Sequence, residues 1–320
     1  MKTKRLVPKF DAILFDIDNV LVDTRESYLA AIQKTVEIYL NHPGIVSLKE
    51  IDQFKLLGGF NDDWDCCYGI ITFLQTSIQG KPIRFGDHRR QRLMIAELAE
   101  LFPERPLGIE GLLKHLEILY QIVEEASFKK IARVFQEVYL GKELFSKGGA
   151  RRAMPLQYWT GSGLIQKEKS IFPKSVLEKI HGRGIRFGIV TGRNRFEAKY
   201  ALSRFGIWDL FDSVVTIDDV RREEKKIGKL LRKPHPWPVL EAARRVAPTD
   251  KINQKLRFLY IGDLPDDVLA AKRAKKRIRI QSMAFPQFAR DPQSTLTELK
   301  KLKPDFFLKH PKDLLKIVLG

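Results

Sequence analysis

Ala12-Ile13-Leu14-Phe15-Asp16-Ile17-Asp18-Asn19-Val20 is a short apolar run that ends in two carboxylates one residue apart. Such a run predicts a buried strand. Like charges at the edge of a core must be paired, hydrated or bound to a cation, because burial penalises each of them. Residues two apart on a strand share a face, so at its C-terminal end the two carboxylates are expected to address one small volume. Open parallel sheets bind ligands at that end. What the pair does depends on the partners that the rest of the chain supplies.

From Lys174 onward, strands and helices alternate. Lys174 to His181 reads as a helix stopped by Gly182 and Gly184. Ile185 to Val190 reads as a buried strand ending at Thr191-Gly192, and Asn194 to Phe205 as an amphipathic helix closed by Gly206. Ser213 to Ile217 is the next expected strand, followed by Asp218-Asp219, and a helix with prolines at its start follows Lys233. Leu256 to Ile261 predicts a strand ending in Gly262-Asp263, Asp266 to Lys276 a helix, and Arg277 to Met283 a further strand. This rhythm implies right-handed crossovers and a parallel sheet, an α/β fold.

Between Thr24 and about Ser170 the pattern turns helical. Helices are expected over Ser27 to Leu40, Trp64 to Ser77, Arg89 to Leu101, Ile109 to Ala126 and Phe128 to Leu140, and Ser47-Leu48-Lys49-Glu50 is a capping box that opens another. The glycine-containing stretch Gly141 to Gly163 is the expected flexible return. Residues 24–170 thus read as a mostly α-helical domain inserted into an α/β domain made of residues 1–23 and 171–320.

The chain has 320 residues, of which 44% are hydrophobic and 10% aromatic, enough to build real cores and to argue against global disorder. No apolar run is long enough to span a bilayer. The basic start, Met1-Lys2-Thr3-Lys4-Arg5, fails as a secretory signal because Asp16 and Asp18 break the apolar segment after it. The expectation is a soluble, cytoplasmic protein with no membrane partner. Adjacent Cys66 and Cys67 make a strained disulfide and no spaced metal pattern, and are expected as a reduced, half-buried pair. The net charge of +18 suits polyanions, but the basic residues are dispersed and no nucleic-acid module is present. Nucleic acid is therefore not the expected partner. The charge reads instead as a Lys/Arg-rich surface, of the kind that ion-paired thermophile proteins carry.

Four polar groups fall at strand ends or helix starts of the α/β part: Asp16 with Asp18, Thr191, Asp263 with Asp267, and Lys233. Parallel strands bring their C-terminal ends to one sheet edge, so these groups can converge. Three carboxylates around one point suit a hard, oxygen-seeking cation such as Mg²⁺. A lysine beside them lowers the charge and can hold a phosphoryl oxygen, and a threonine hydroxyl with the following N–H groups can cradle another. One aspartate can attack phosphorus, and the other can protonate the leaving alcohol and then deprotonate water.

In these four motifs the chain resembles the haloacid dehalogenase (HAD) superfamily of phosphatases: Asp16-Ile17-Asp18-Asn19-Val20, Val190-Thr191-Gly192, Lys233-Pro234 and Gly262-Asp263-Leu264-Pro265-Asp266-Asp267 stand in the family's order. The resemblance implies a Rossmann-like three-layer core, with Asp16 as nucleophile, Asp18 as general acid/base, and Thr191, Gly192 and Lys233 binding phosphate. It implies a Mg²⁺ shell drawn from Asp16, Asp263, supporting Asp267 and the main-chain carbonyl of Asp18. An insert directly after the first motif resembles the helical C1 cap of the phosphoglycolate phosphatase-like subfamily, here enlarged. Asn19 stands where that subfamily most often has glycine, and Asn tolerates the left-handed turn at least cost.

In the insert, Gly58-Gly59 breaks a helix before the acidic run Asn61-Asp62-Asp63-Trp64-Asp65. Asn61 or Asp62 can simply cap the next helix. By position the run also resembles the cap's specificity loop, which makes Asn61, Asp62 and Trp64 candidate substrate-reading residues. Arg193 and Arg195 can steer an anion, although exposed helix residues are the commoner fate. The function that the resemblance implies is a Mg²⁺-dependent phosphomonoester hydrolase, with a small phosphorylated metabolite as its partner. A phosphotransferase or mutase of the same superfamily and a non-catalytic polyanion-binding protein are the alternatives.

Overall fold

The computed structural model describes residues 9–60, 62–80, 107–120, 123–147, 155–247 and 256–319. The chain divides into two compact units, one of Met1–Arg25 and Glu168–Gly320, the other of Glu26–Lys167.

The first unit contains strands β1 (Ala12–Phe15), β2 (Val22–Asp23), β3 (Lys169–Ser170), β4 (Arg186–Val190), β5 (Ser213–Val215), β6 (Arg257–Gly262), β7 (Arg279–Ala284) and β8 (Phe306–Phe307). Six of them form a parallel sheet in the order β5-β4-β1-β6-β7-β8, and β2 and β3 form a separate antiparallel pair. Alternation along the strands divides the side chains between two faces. Ile13, Phe15, Phe187, Ile189, Leu259 and Ile261 pack with helices Lys174–His181, Arg195–Arg204 and Asp313–Leu319. Leu14, Val190, Val215, Phe258 and Tyr260 pack with helices Trp237–Val246 and Pro265–Ala274. A parallel sheet covered on both faces needs strands that are apolar throughout, and β1 is buried at all four positions.

Phe15 anchors the end of β1. Its ring meets Phe187, Phe172 and Phe211 edge to face at centroid distances of 5.3, 6.0 and 6.0 Å. Burying such a ring contributes about 1.5–3 kcal/mol, and each aromatic pair adds roughly 0.5–1.5 kcal/mol. The residue after this anchor, Asp16, is thereby fixed in place.

The second unit is helical, with helices Tyr28–Leu40, Leu48–Lys55, Asp63–Gly80, Gly108–Tyr120 and Phe128–Lys147 among the described residues. The Ser47–Glu50 capping box forms as expected. Helix Gly108–Tyr120 stops short of the expected Ala126, because Thr76 and Thr72 hydroxyls accept the backbone N–H groups of Glu124 and Ala126 at 3.0 and 3.1 Å. Cys66 and Cys67 are both fully buried, not half-buried, and are not joined in a disulfide. The helix expected over Arg89 to Leu101 lies outside the described residues. No helix among the described residues is long and apolar enough to cross a membrane.

The expected flexible return is anchored where it is described. The fully buried Glu137 carboxylate accepts the N–H groups of Gln157, Tyr158 and Trp159 at 3.1, 2.7 and 3.0 Å, and Arg133 Nε donates to it at 2.5 Å. Gly141, with φ of 70°, breaks the long helix and bridges to Ser162. A Cβ there would stand 2.1 Å from the Gly163 nitrogen, so the close approach requires glycine.

The first unit departs from expectation after β5, where the strand stops at Val215 and a helix spans Ile217–Ile227. The cause is local. Thr216 and Asp219 form a capping box, with Asp219 Oδ2 accepting from the Thr216 N–H and hydroxyl, both at 3.0 Å. Arg245 then donates to Asp219 Oδ1 at 3.0 Å, which ties this helix to Trp237–Val246. Burial opposes ionisation of Asp219, but the Thr216 N–H and the Arg245 guanidinium outweigh it and lower the carboxyl's pKa. A carboxyl whose folded pKa is depressed contributes stability above its unfolded pKa and loses it as pH falls through the folded value. Asp219→Asn is therefore expected to destabilise the fold by about 1–3 kcal/mol at pH 7. Urea unfolding of variant and wild type should give midpoints that converge as the pH drops below about 4.

Candidate active site

The register of the sheet builds the site. Phe15 stands opposite Ile189 of β4 and Ile261 of β6. Asp16 follows the first of these directly, and Thr191 and Asp263 follow two residues after the others, so three strand ends deliver polar groups to one edge. The Asp16 N–H donates to the Ile261 carbonyl at 2.9 Å, extending the ladder by one residue before the chain turns.

Asp16, Asp263 and Asp267 are all buried, with carboxylate oxygens within 4.8 Å of one another. Lys233 reaches the group from the segment before helix Trp237–Val246. Its Nζ stands 3.2 Å from Asp16 Oδ2 and 2.7 Å from Asp267 Oδ1. The Tyr260 hydroxyl donates to Asp267 Oδ1 at 2.8 Å, and the Leu264 N–H donates to its Oδ2 at 3.1 Å. Asp267 is thus held on both oxygens. A Cβ at Gly262 would fall 2.2 Å from the Asp267 Cβ, so only glycine at the end of β6 leaves room for that carboxylate.

Fully ionised, three carboxylates against one ammonium would carry a net charge of −2, and the cluster resists that charge. Burial pushes the Asp16 carboxyl up to about 7, with Lys233 pulling it down and Asp267 and Asp18 pushing it further up. Burial, then Asp267 and Asp16, raise Asp263 well above the carboxylate range. Burial works against the Lys233 ammonium, but Asp16 and Asp267 overcome it and raise its pKa well above the ordinary lysine value. Asp16 Oδ1 is buried without a hydrogen-bond partner. A charge deficit, clustered hard oxygen donors and an orphaned carboxylate oxygen together fit a divalent cation.

Asp18 does not join this cluster. Strand β1 ends at Phe15, so the period-2 argument for a shared face lapses before Asp18 is reached. Ile17 is buried, Asn19 takes φ of 55°, and the Asp18 carboxylate meets Arg193 instead. Arg193 Nε and NH2 donate to Asp18 Oδ1 at 2.8 and 2.6 Å. NH1 and NH2 of the same guanidinium donate to Glu168 Oε2 and Oε1, both at 3.0 Å. Arg193, read from sequence either as an anion-steering residue or as an exposed helix residue, has a side chain only 1% exposed. It lies before the helix, whose N-cap is Asn194. Arg195 is half-exposed and bonds to the Val214 carbonyl and Asp219.

Thr191 is buried, and its Oγ1 accepts the Arg193 N–H at 3.1 Å, which shapes the loop in place of capping a helix. Gly192 is exposed beside it. Asp266 occupies the first turn of helix Pro265–Ala274 but is not its cap, which is Leu264. Asn19 adopts the left-handed turn and also bridges the site, donating from Nδ2 to Asp263 Oδ2 at 3.3 Å and accepting from the Thr24 hydroxyl at 2.9 Å. In the other unit, Asp62 caps helix Asp63–Gly80, its Oδ1 accepting from the Trp64 and Asp65 N–H groups at 2.9 and 3.4 Å. Trp64 packs edge to face on Phe128. Asn61 lies outside the described residues.

Sequence reading missed Glu168, Tyr260 and the bridging role of Asn19. Glu168 sits in Gln166-Lys167-Glu168-Lys169, which reads as a solvated charge run, and Tyr260 reads as an ordinary strand residue. A polar hydroxyl at a core-facing position of β6 was the one available signal, because a buried Tyr O–H needs a partner.

Several known proteins resemble this chain. A pyrophosphatase PpaX of Bacillus pumilus is 30% identical over 142 residues, covering 44% of this chain and 56% of its own. An imidazoleglycerol-phosphate dehydratase of Phytophthora nicotianae is 23% identical over 265 residues, 82% of this chain and 41% of its own. The chain spans about half the length of the curated relatives it matches. Among solved structures, the phosphatase Tt82 from Thermococcus thioreducens superposes with a TM-score of 0.60 at 23% identity, covering 91% of this chain and 98% of that one, and so shares the fold. The sequence profile of the haloacid dehalogenase-like hydrolases matches residues 10–275, and the chain belongs to that family.

Proposed function

We propose that this chain hydrolyses small phosphomonoesters, with Mg²⁺ as cofactor and an aspartyl-phosphate as intermediate. The reading is carried by the orphaned, buried Asp16 Oδ1, set among two further carboxylates and the Lys233 ammonium. Leaving a buried acceptor unsatisfied costs about 1–3 kcal/mol, a cost that a cation bound at this oxygen would relieve. Asp16 and Asp263 would hold the cation, with the main-chain carbonyl of Asp18, and Asp267 would support them. When bound, Mg²⁺ supplies charge that offsets repulsion between a phosphate dianion and the carboxylates.

The chain's own groups carry the reaction. Lys233, the Thr191 hydroxyl and the Gly192 N–H would orient the phosphoryl oxygens. An Asp16 oxygen attacks phosphorus, and the bond from phosphorus to the leaving oxygen breaks. That oxygen takes its proton from the Asp18 carboxyl. The resulting Asp18 carboxylate then removes a proton from water, which attacks phosphorus, releases phosphate and regenerates Asp16. By its resemblance to the C1 cap, the helical unit would select the substrate, with Asn61, Asp62 and Trp64 as candidate residues for reading the leaving group. The relatives named pyrophosphatases extend the candidate substrates to pyrophosphate, whose leaving group is itself a phosphate.

Asp16→Asn is expected to lower turnover of 4-nitrophenyl phosphate by at least about 10³-fold without shifting the unfolding midpoint downward. Retained turnover in that variant overturns the mechanism. Mg²⁺ added to metal-free protein is expected to raise the thermal midpoint of the wild type but not that of Asp263→Asn. An equal rise in both would remove Asp263 from the cation site. Gly262→Ala is expected to displace Asp267, destabilise the fold by about 1–3 kcal/mol and abolish the Mg²⁺-dependent rise, all measurable in one series of melts.

A further inference from the structure

We propose that Arg193, braced by Glu168, is a positioning residue that tethers one oxygen of Asp18 and leaves the other free to exchange a proton with the leaving group. The inference rests on the phosphatase reading above.

The two oxygens of Asp18 stand in different circumstances. Oδ1 accepts two hydrogen bonds from Arg193, from Nε at 2.8 Å and from NH2 at 2.6 Å. Oδ2 accepts none among the described residues, and the side chain as a whole remains 29% exposed. An acid that delivers a proton to a leaving group needs one oxygen free for that proton and a fixed direction in which to present it. Tethering Oδ1 meets the second need without obstructing the first.

Arg193 can do this because its own position is over-determined. The side chain is 1% exposed, and Glu168 grips the far side of the guanidinium through both carboxylate oxygens. The backbone is held as well: the Arg193 N–H donates to Thr191 Oγ1 at 3.1 Å, and its carbonyl accepts from the Ile217 N–H, also at 3.1 Å. Glu168 is fully buried, and Arg204 donates to its main-chain carbonyl. Glu168 is followed by β3, which pairs with β2 at Val22↔Ser170 and Asp23↔Lys169, and β2 begins four residues after Asp18. Both ends of the Glu168–Arg193–Asp18 relay thus lie beside one short antiparallel strand pair. Arginine suits this place because its planar fork offers donors to two carboxylates at once. A lysine ammonium can replace the charge but not the fork.

The diagnostic is the dependence of kcat/KM on the leaving group, because this ratio reports the first phosphoryl transfer and is blind to later hydrolysis of the intermediate. Phenyl, 4-nitrophenyl and 2,4-dinitrophenyl phosphate span poor to good leaving groups, and only the poor ones depend strongly on a proton from Asp18. General acids contribute about 10²–10⁴-fold, so partial misplacement should remove a fraction of that. Arg193→Lys is expected to lower kcat/KM roughly 10–100-fold for phenyl phosphate and less than about 3-fold for 2,4-dinitrophenyl phosphate, with Glu168→Gln giving the same slope more weakly. A uniform loss across the three substrates would mark a merely structural role, and wild-type rates would mark none. Either result overturns the proposal. If Arg193→Lys shows no cooperative melt, the double variant Arg193→Met/Glu168→Met removes both buried charges together and is judged by the same slope. Absence of wild-type turnover, or turnover retained in Asp16→Asn, would instead bring down the phosphatase reading and this inference with it.

Discussion

The Lys233 ammonium makes the rest of the site possible. Three carboxylates delivered to one buried volume repel each other, and each has lost much of its hydration. Removing an ion from water costs several kcal/mol, whereas opposite unit charges about 4 Å apart attract by roughly 4 kcal/mol at an effective dielectric near 20. One ammonium, 3.2 Å from Asp16 and 2.7 Å from Asp267, can offset part of that cost but not all of it. The raised pKa values of Asp16 and Asp263 express the remainder. The α/β scaffold holds this unfinished balance in place through the aromatic packing under Phe15, the ladder bond from Asp16 to Ile261 and the two-sided grip on Asp267.

Asp16 and Asp18 are one residue apart and feel each other's charge, yet each has its own counter-ion. Asp16 looks to Lys233, and Asp18 looks to Arg193 and through it to Glu168. Burial of Ile17 between them and the left-handed turn at Asn19 set the two carboxylates on different headings. Two carboxylates sharing a single counter-ion would titrate together and resist distinct roles. Under the proposed mechanism, separate counter-ions suit one carboxylate to attack and the other to proton transfer.

The fold was legible wherever pattern and local chemistry agreed. Helix Lys174–His181 falls on its predicted residues, and the apolar strands at β1, β4 and β6 read correctly because both sheet faces are covered. The helix at Ile217–Ile227 was missed because Val214 to Ile217 is β-branched, and a single carboxylate, Asp219, decides the matter by capping. At the site, Asp16, Asp263, Asp267 and Lys233 were legible as a set because strand order brings their positions to one edge. Glu168 was not, since its contact with Arg193 crosses 25 residues and nothing local distinguishes a buried glutamate from a solvated one.

The short β2–β3 pair has a consequence for how this architecture varies. The chain leaves the α/β unit after Arg25 and comes back at Glu168, and the two crossings lie beside the paired residues Asp23 and Lys169. Neighbouring strands run about 5 Å apart, so the helical segment is hung on two adjacent pegs. A lineage can lengthen, shorten or exchange such a segment without respacing the sheet, as domain insertions at closely set ends generally permit. The strand pair is the socket of a modular part.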